Sequence, residues 1–307
     1  MPMNELMTAN EIRYYAIYPE LTERNFNPMN DVIFKFTFGR PERKQITIDF
    51  LNTIVSEDLG HTIRDIVFDP TETIPDHYDE KITRLDVACT LDTGEQVDIE
   101  VQVVNQKNMQ RRTMCYWARL YLMSLPPGGV YQDLKPCITV NLLRFNLLPQ
   151  DDPHSVWSIY NQKTGDRFNQ DLVFHFLEIP KYTCQPKKAV DDMTKMERWL
   201  AYFANQLTDE EKGELLMKDA AIQEAVGAAS IFLQDKAERR AYINRELAIL
   251  DYNSDRKDLL DKGRAEGENT LALLIKKLQA DGRQDDISRA LESKEARQQL
   301  YQEYHLI

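Results

Sequence analysis

The sequence predicts an α/β protein with a mixed central sheet flanked by helices, followed by a helical C-terminal region. Three observations carry this expectation. Residues 85–103 alternate apolar and polar side chains with period 2 on both sides of a short loop, the pattern of a β-hairpin. From about residue 106 the apolar period changes to 3.6. Beyond Pro186 no strand pattern returns. The order helix, hairpin, helix, strand indicates an α/β core built on a mixed sheet.

Taken in order, a polar leader precedes NDVIFKFTFG (30–39), which opens on an Asn-Asp cap, carries an apolar helical stripe and stops at Gly39. A second helix is expected across RKQITIDFLNTIV (43–55), a strand at TIRDIVFD (62–69) and a polar loop at PTETIPDHYDEK (70–81). After the hairpin, QKNMQRRTMCYWARLYLMSL (106–125) reads as a helix ended by PPGG. KPCITVNLLRF (135–145) reads as a buried strand, and SVWSIYNQ and DLVFHFLEI as two more. Helices follow at 191–207, 218–235 and 236–252. The charged tail holds one amphipathic stretch, TLALLIKKLQ, and a short helix pair after DGRQ. These patterns divide the chain into a core (1–190), a helical extension packed on it (191–255) and a charged helical tail (256–307). The tail reads as a solvated helix or a self-association element.

With 307 residues, 42% of them hydrophobic, the chain can bury a sizeable core. No apolar run approaches the roughly 18 residues of a membrane span, so no membrane partner is expected. The opening MPMNELMTANEIRYY lacks a basic region followed by an apolar stretch, which predicts a cytoplasmic protein. The four cysteines, Cys89, Cys115, Cys137 and Cys184, form no CxxC pair, which argues against a zinc ribbon or a disulfide framework. They are expected as small buried hydrophobes. A formal charge of −12 repels phosphate backbones and counts against a nucleic-acid partner. A divalent cation and a few arginines can nevertheless set the local field of a cleft.

The hairpin holds the main chemical signal. Leu85, Val87, Cys89 and Leu91 alternate with Asp86, Ala88 and Thr90; Val97, Ile99, Val101 and Val103 alternate with Asp98, Glu100 and Gln102. A two-residue loop at Thr93-Gly94 puts the apolar sets on opposite faces and is rejected. A three-residue loop, Asp92-Thr93-Gly94, supplies the glycine that a type I turn plus bulge requires. That register sets Val87 against Ile99 and Asp86 against Glu100. Carboxylates directly opposite have β-carbons about 5 Å apart and repel, which a hard divalent cation between them would offset. Gln102 shares the face of Glu100, close enough to orient a water or a phosphate oxygen; Asp98 lies nearer the turn and reads as peripheral. Two readings of this face stay open: a solvated polar face, or a partly enclosed one, which Ala88, Thr90 and Val104 favour.

The following helix sets Asn108, Arg112, Tyr116 and Arg119 along one stripe. A guanidinium there can stabilise charge in phosphoryl transfer, or simply pair with a sheet carboxylate. The five histidines, His61, His77, His154, His175 and His305, show no metal-ligand spacing. His175 reads as a packed cross-strand residue, and His77, in the loop before the hairpin, can approach the cleft.

The stretches NDVIFKFTFG, RLDVACTLDTGEQVDIEVQ, NQKNMQRRTMCYWARLYL and GGVYQDLKPCITVNLL, in this order and spacing, resemble the recombination-promoting nuclease (Rpn) family, also described as transposases, of the PD-(D/E)XK nuclease superfamily. The tail LLDKGRAEGENTLALLIKKLQADGRQDDISRAL resembles that family's C-terminal extension. The resemblance implies a PD-(D/E)XK restriction-endonuclease-like core and a DNA endonuclease that depends on Mg²⁺, or on Mn²⁺ in its place, linked to recombination or mobile elements. It implies Asp86 and Glu100 as metal-binding acids, with the Val101 carbonyl beside them and Asp31 as a helix-borne acid. Gln102 holds the place of the superfamily's lysine and, being uncharged, cannot help to deprotonate water. Lys35, Arg112 and Tyr116 match cleft positions that would contact DNA. Cutting both strands would favour a homodimer. The alternative is a catalytically weak or inactive nuclease-like module that binds DNA or protein, or a helical assembly module for which the α/β region is scaffold.

Overall fold

In the computed structural model, residues 7–22, 24–71 and 85–307 are described. The chain forms two compact units, Met1–Leu247 and Ala248–Ile307. The first unit opens with α1 (Ala9–Ile17), inside what the sequence presents as a polar leader. Its start is a capping box: Thr8 Oγ1 accepts from the Glu11 amide at 3.2 Å, and Glu11 Oε2 from the Thr8 amide at 2.7 Å. The sequence offers too short an apolar stripe to announce this helix. Packing secures it, through the Tyr14 ring 6.3 Å from that of Tyr242.

Next come α2 (Asp31–Phe38), capped by Asn30 Oδ1 on the Val32 amide at 3.1 Å, and α3 (Lys44–Leu59). The sheet strands are β1 (Ile66–Phe68), β2 (Val87–Leu91), β3 (Gln96–Gln102), β4 (Cys137–Leu143), β5 (His154–Trp157) and β6 (Leu172–Glu178). Helix α4 (Met109–Met123) carries the chain from β3 to β4. The strand order is β1-β2-β3-β4-β6-β5. β1, β2 and β3 pair antiparallel, β3, β4 and β6 parallel, and β5 antiparallel to β6, so the sheet is mixed. The polar loop at 70–81 and His77 lie almost wholly outside the described residues.

The hairpin takes the register expected from its alternation, with Val87 opposite Ile99 and Cys89 opposite Val97. Gly94 adopts φ +101°, where a side chain would be strained, and donates to the Leu91 carbonyl at 2.9 Å. Neither face is solvated: Val87, Ala88, Cys89, Val97, Asp98 and Ile99 are all buried. On one side, α2, α3 and α6 (Lys195–Ala204) pack an aromatic cluster in which Phe34 lies 4.6 Å from Phe38 and Phe50 5.4 Å from Trp199. Each such side chain contributes roughly 1.5–3 kcal/mol by leaving water. On the other side α4 is fixed by Trp117 Nε1 donating to the Cys137 carbonyl at 3.0 Å and by Thr113 Oγ1 donating to Asn141 Oδ1 at 3.1 Å.

After α5 (Ile179–Thr183) and α6, the chain forms α7 (Asp209–Lys218), α8 (Ala220–Gln234) and α9 (Lys236–Ala280). α7 is an addition to the sequence reading, started by a second capping box, Thr208 with Glu211. α9 is one continuous helix where the sequence suggests a helix and a separate tail. Gly263 and Gly267 lie inside it, each costing about 1 kcal/mol relative to alanine without breaking it. In the second unit, Leu274 and Leu278 of α9 share a small core with Ala290 of α10 (Gln284–Glu292) and Leu300 of α11 (Lys294–Glu303). Of the cysteines, Cys89 and Cys137 are buried as expected, whereas Cys115 and Cys184 are exposed, on the outward side of α4 and just past α5. No helix among the described residues is long and apolar enough to cross a membrane.

Candidate active site

β2 begins one residue after Asp86, and β3 ends at Gln102, so the two acids stand at the open end of the hairpin. The last paired rung is Val87 with Ile99, and one residue beyond it the same register points Asp86 toward Glu100. Each carboxylate accepts a backbone hydrogen bond from the other strand: the Asp86 amide donates to Glu100 Oε1 at 3.1 Å, and the Val101 amide to Asp86 Oδ2 at 2.9 Å. Two cations complete the set. Lys35 Nζ, from α2, lies 3.0 Å from Asp86 Oδ1. Arg112, from α4, forks across β3, with Nη2 2.9 Å from Glu100 Oε2 and Nη1 3.0 Å from Gln102 Oε1. Its guanidinium carbon stands 4.9 Å from the centre of the Tyr116 ring. Two amides and two cations therefore offset the repulsion that the sequence alone leaves to a bound metal.

Local sequence explains the reach of Lys35. A β-carbon on Gly39 would meet the Lys35 carbonyl oxygen at 2.8 Å and Val87 Cγ2 at 3.4 Å, so glycine lets α2 end against β2. The ammonium of Lys35, one turn earlier, then overhangs Asp86. Asp31 also stands near, since its charge helps raise the Asp86 pKa, but its Oδ1 accepts from Arg245 Nε of α9 at 2.7 Å. Its cap role belongs to Asn30. Lys35 and Arg112, expected against DNA, are engaged with the acids, and they keep side-chain exposures of 34% and 28%.

Asp98 corrects the sequence reading. Far from peripheral, it is fully buried, with neither carboxylate oxygen hydrogen-bonded. Burial, and then the charges of Glu100 and Asp86, push its pKa well up, which favours its neutral form. Burial likewise raises Asp86 and Glu100, against the opposing pull of Lys35 and Arg112 respectively. The alternation that puts Asp98 on the face of Glu100 and Gln102 is visible in the sequence. Its enclosure, by α4 and by β4 where Thr139 is its partner, is not.

The donor set fits a hard cation. Asp86, Glu100 and the Val101 carbonyl offer oxygen only, and Mg²⁺ commonly takes one or two protein carboxylates with waters filling the remaining positions. Two acids whose charge is penalised by burial gain from such an ion. Among the described residues no group of three or more His, Cys, Asp or Glu is arranged to hold a metal. The histidines stand elsewhere. His175 of β6 is buried, stacks on His154 of β5 at 5.3 Å, and is pushed down to about 3 by desolvation, so the 3.5 Å separation from Asp58 Oδ2 is no ion pair at neutral pH.

No curated protein and no solved structure matches the chain. A family model does, over residues 28–258, which hold α2, the whole sheet and the helices through much of α9. The family is described as PD-(D/E)XK nuclease family transposase. Its span includes the paired acids of the hairpin, Gln102 two residues beyond and the helix-borne Asp31 and Lys35. The chain belongs to the PD-(D/E)XK nuclease family transposases.

Proposed function

We propose that the protein is a divalent-metal-dependent DNA endonuclease that hydrolyses phosphodiester bonds in recombination or in the movement of a mobile element. The observation that carries this reading is the Asp86–Glu100 pair, fixed by cross-strand amides and flanked by Lys35, Arg112 and Gln102. Mg²⁺, or Mn²⁺ in its place, would supply polarisation of the scissile phosphate and a more acidic water. Asp86, Glu100 and the Val101 carbonyl would hold it.

The chain's own groups do the rest. Gln102 has its carbonyl oxygen tied to Arg112, which leaves its amide N–H groups to orient a water or a phosphate oxygen. Arg112, braced on Tyr116, stands ready to stabilise negative charge gathering on the phosphate. Lys35, with Asp31 one helical turn before it, keeps its side chain 34% exposed while its ammonium lies 3.0 Å from Asp86, so it would reach the DNA backbone from beside that acid. The test is cleavage of supercoiled and linear DNA in Mg²⁺, Mn²⁺ or Ca²⁺, alongside thermal melting. We expect cutting with Mg²⁺ or Mn²⁺, a metal-dependent rise in Tm, and loss of both in a folded Asp86→Asn variant. Undiminished cutting by that variant ends the assignment.

A further inference from the structure

A second concave site opens on the α2 side of the sheet, a cleft of about 270 Å³. Its lining includes Tyr14 and Tyr18 from the end of α1, Arg144, Asn205, Gln206 and Glu246 of α9. It adjoins the catalytic end of the sheet through the backbone, since the Arg144 amide donates to the Gln102 carbonyl at 3.0 Å. It also adjoins α2, because Glu246 Oε1 accepts from Asn30 Nδ2 at 2.8 Å, one residue before Asp31.

The walls are held in place. α1 is tied to α9 by Asn10 Nδ2 on Asn244 Oδ1 at 2.8 Å and by Arg240 Nε on Glu11 Oε1 at 3.2 Å. Asn205, in the left-handed conformation at φ +48°, donates through Nδ2 to the Phe26 carbonyl at 2.5 Å and keeps its own amide oxygen for another partner. The edge of the cleft, by contrast, is uncommitted. Arg144 is exposed, and among the described residues no hydrogen bond or ion pair engages its guanidinium. Tyr18 is 39% exposed, and its ring lies 5.1 Å from that of Tyr14, tilted by 37°.

An exposed tyrosine, amide groups and an exposed guanidinium match the face and edge of a base and the phosphate of a nucleotide. Bases stack on aromatic rings whatever their sequence, amides meet their edges, and arginine binds phosphate. We propose that this cleft is a nucleotide subsite, which takes an unstacked base of the DNA strand running past the catalytic acids, with Tyr18 as the stacking surface and Arg144 on an adjoining phosphate. The inference rests on the nuclease reading and deepens it: the favoured substrate carries unpaired nucleotides beside the cut.

The test uses the full chain in Ca²⁺, with which no cutting is expected, and fluorescence anisotropy of a labelled single-stranded oligonucleotide and of a blunt duplex of the same sequence. We expect Tyr18→Ser and Arg144→Ala to weaken single-strand binding at least fivefold, to leave blunt-duplex binding within twofold, and Tyr18→Phe to bind as the native protein does. Arg144→Ala should also flatten the salt dependence of single-strand binding. Native protein that binds DNA, with variants that bind the single strand equally well, overturns the subsite alone. Native protein that binds neither oligonucleotide overturns the subsite and the nuclease reading together.

Discussion

Two parallel strands of the same sheet carry buried glutamates at or near their ends, and the two sites differ in how completely those acids are satisfied. At the end of β6, Glu178 Oε1 accepts from the Leu147 and Leu148 amides, and its Oε2 lies 2.5 Å from Lys181 Nζ. Lys181 is buried too and also donates to the Leu148 carbonyl at 3.0 Å. Near the end of β3, Glu100 shares its surroundings with Asp86 and the unpartnered Asp98, and its cation Arg112 is divided between two acceptors. A closed set of partners clamps the loop that leaves β4. A crowded set of acids, with charges that burial penalises and cations that reach the surface, is what the proposed function would have an ion relieve.

Exchanging the acids for amides should separate the roles most sharply. Glu100→Gln should lower cleavage by at least about 10³-fold, because several kcal/mol of transition-state stabilisation are at stake, while Tm holds or rises. Glu178→Gln should cost about 3–5 kcal/mol by leaving Lys181 unpaired, a fall in Tm on the order of 10 °C, with cleavage per folded molecule unchanged. Cleavage assays and calorimetry on both variants check this, and matching phenotypes would erase the distinction.

Arg112→Ala should have a smaller effect. Metal binding, measured by titration calorimetry with Mn²⁺, should persist or tighten as Glu100 loses its competitor, while cleavage falls about 10–100-fold. Weaker metal binding would assign Arg112 to holding the acids in place.

The last effect concerns a third buried polar group, neutral rather than charged. Desolvation holds His175 at about 3 in the folded protein, below its unfolded value near 6.5. The unfolded chain therefore binds the extra proton, and stability from this group is complete above about pH 6.5 and is lost as pH falls toward 3. Each pH unit in that window costs up to about 1.4 kcal/mol. A His175→Phe variant should lose less Tm than the native protein between pH 7 and pH 4.5; parallel curves would show that His175 does not titrate in this way.

How much of this could be read from the chain depends on range. The turn at Gly94 and the alternation around it are local, and they yield the register, Val87 with Ile99, that brings Asp86 beside Glu100. The mixed sheet follows from periods of 2 and 3.6 in succession. The starts of α1 and α7 were legible too, as Thr-x-x-Glu capping boxes, but each lacks the strong apolar stripe that draws attention to a helix. The partners of the acids were not legible. Lys35 reaches Asp86 because Gly39 brings α2 against β2, and Asp98 is enclosed because α4 and β4 cover it; both depend on residues distant in sequence. The Asp31–Arg245 pair spans still more of the chain.

Asp86 also acts as a stop on the zip of the hairpin. The next pair in register would join Leu85 to Val101, yet the Val101 amide is taken by the Asp86 side chain and the Leu85 amide by the Thr71 carbonyl. The strands consequently part at Asp86, the acid to which the proposed function assigns the metal. On the proposed reading, truncating this acid would remove a metal ligand and, at the same time, the side chain that occupies the Val101 amide, so an alanine there would confound lost chemistry with a closed door. An asparagine keeps an oxygen for Val101, and with it the opening.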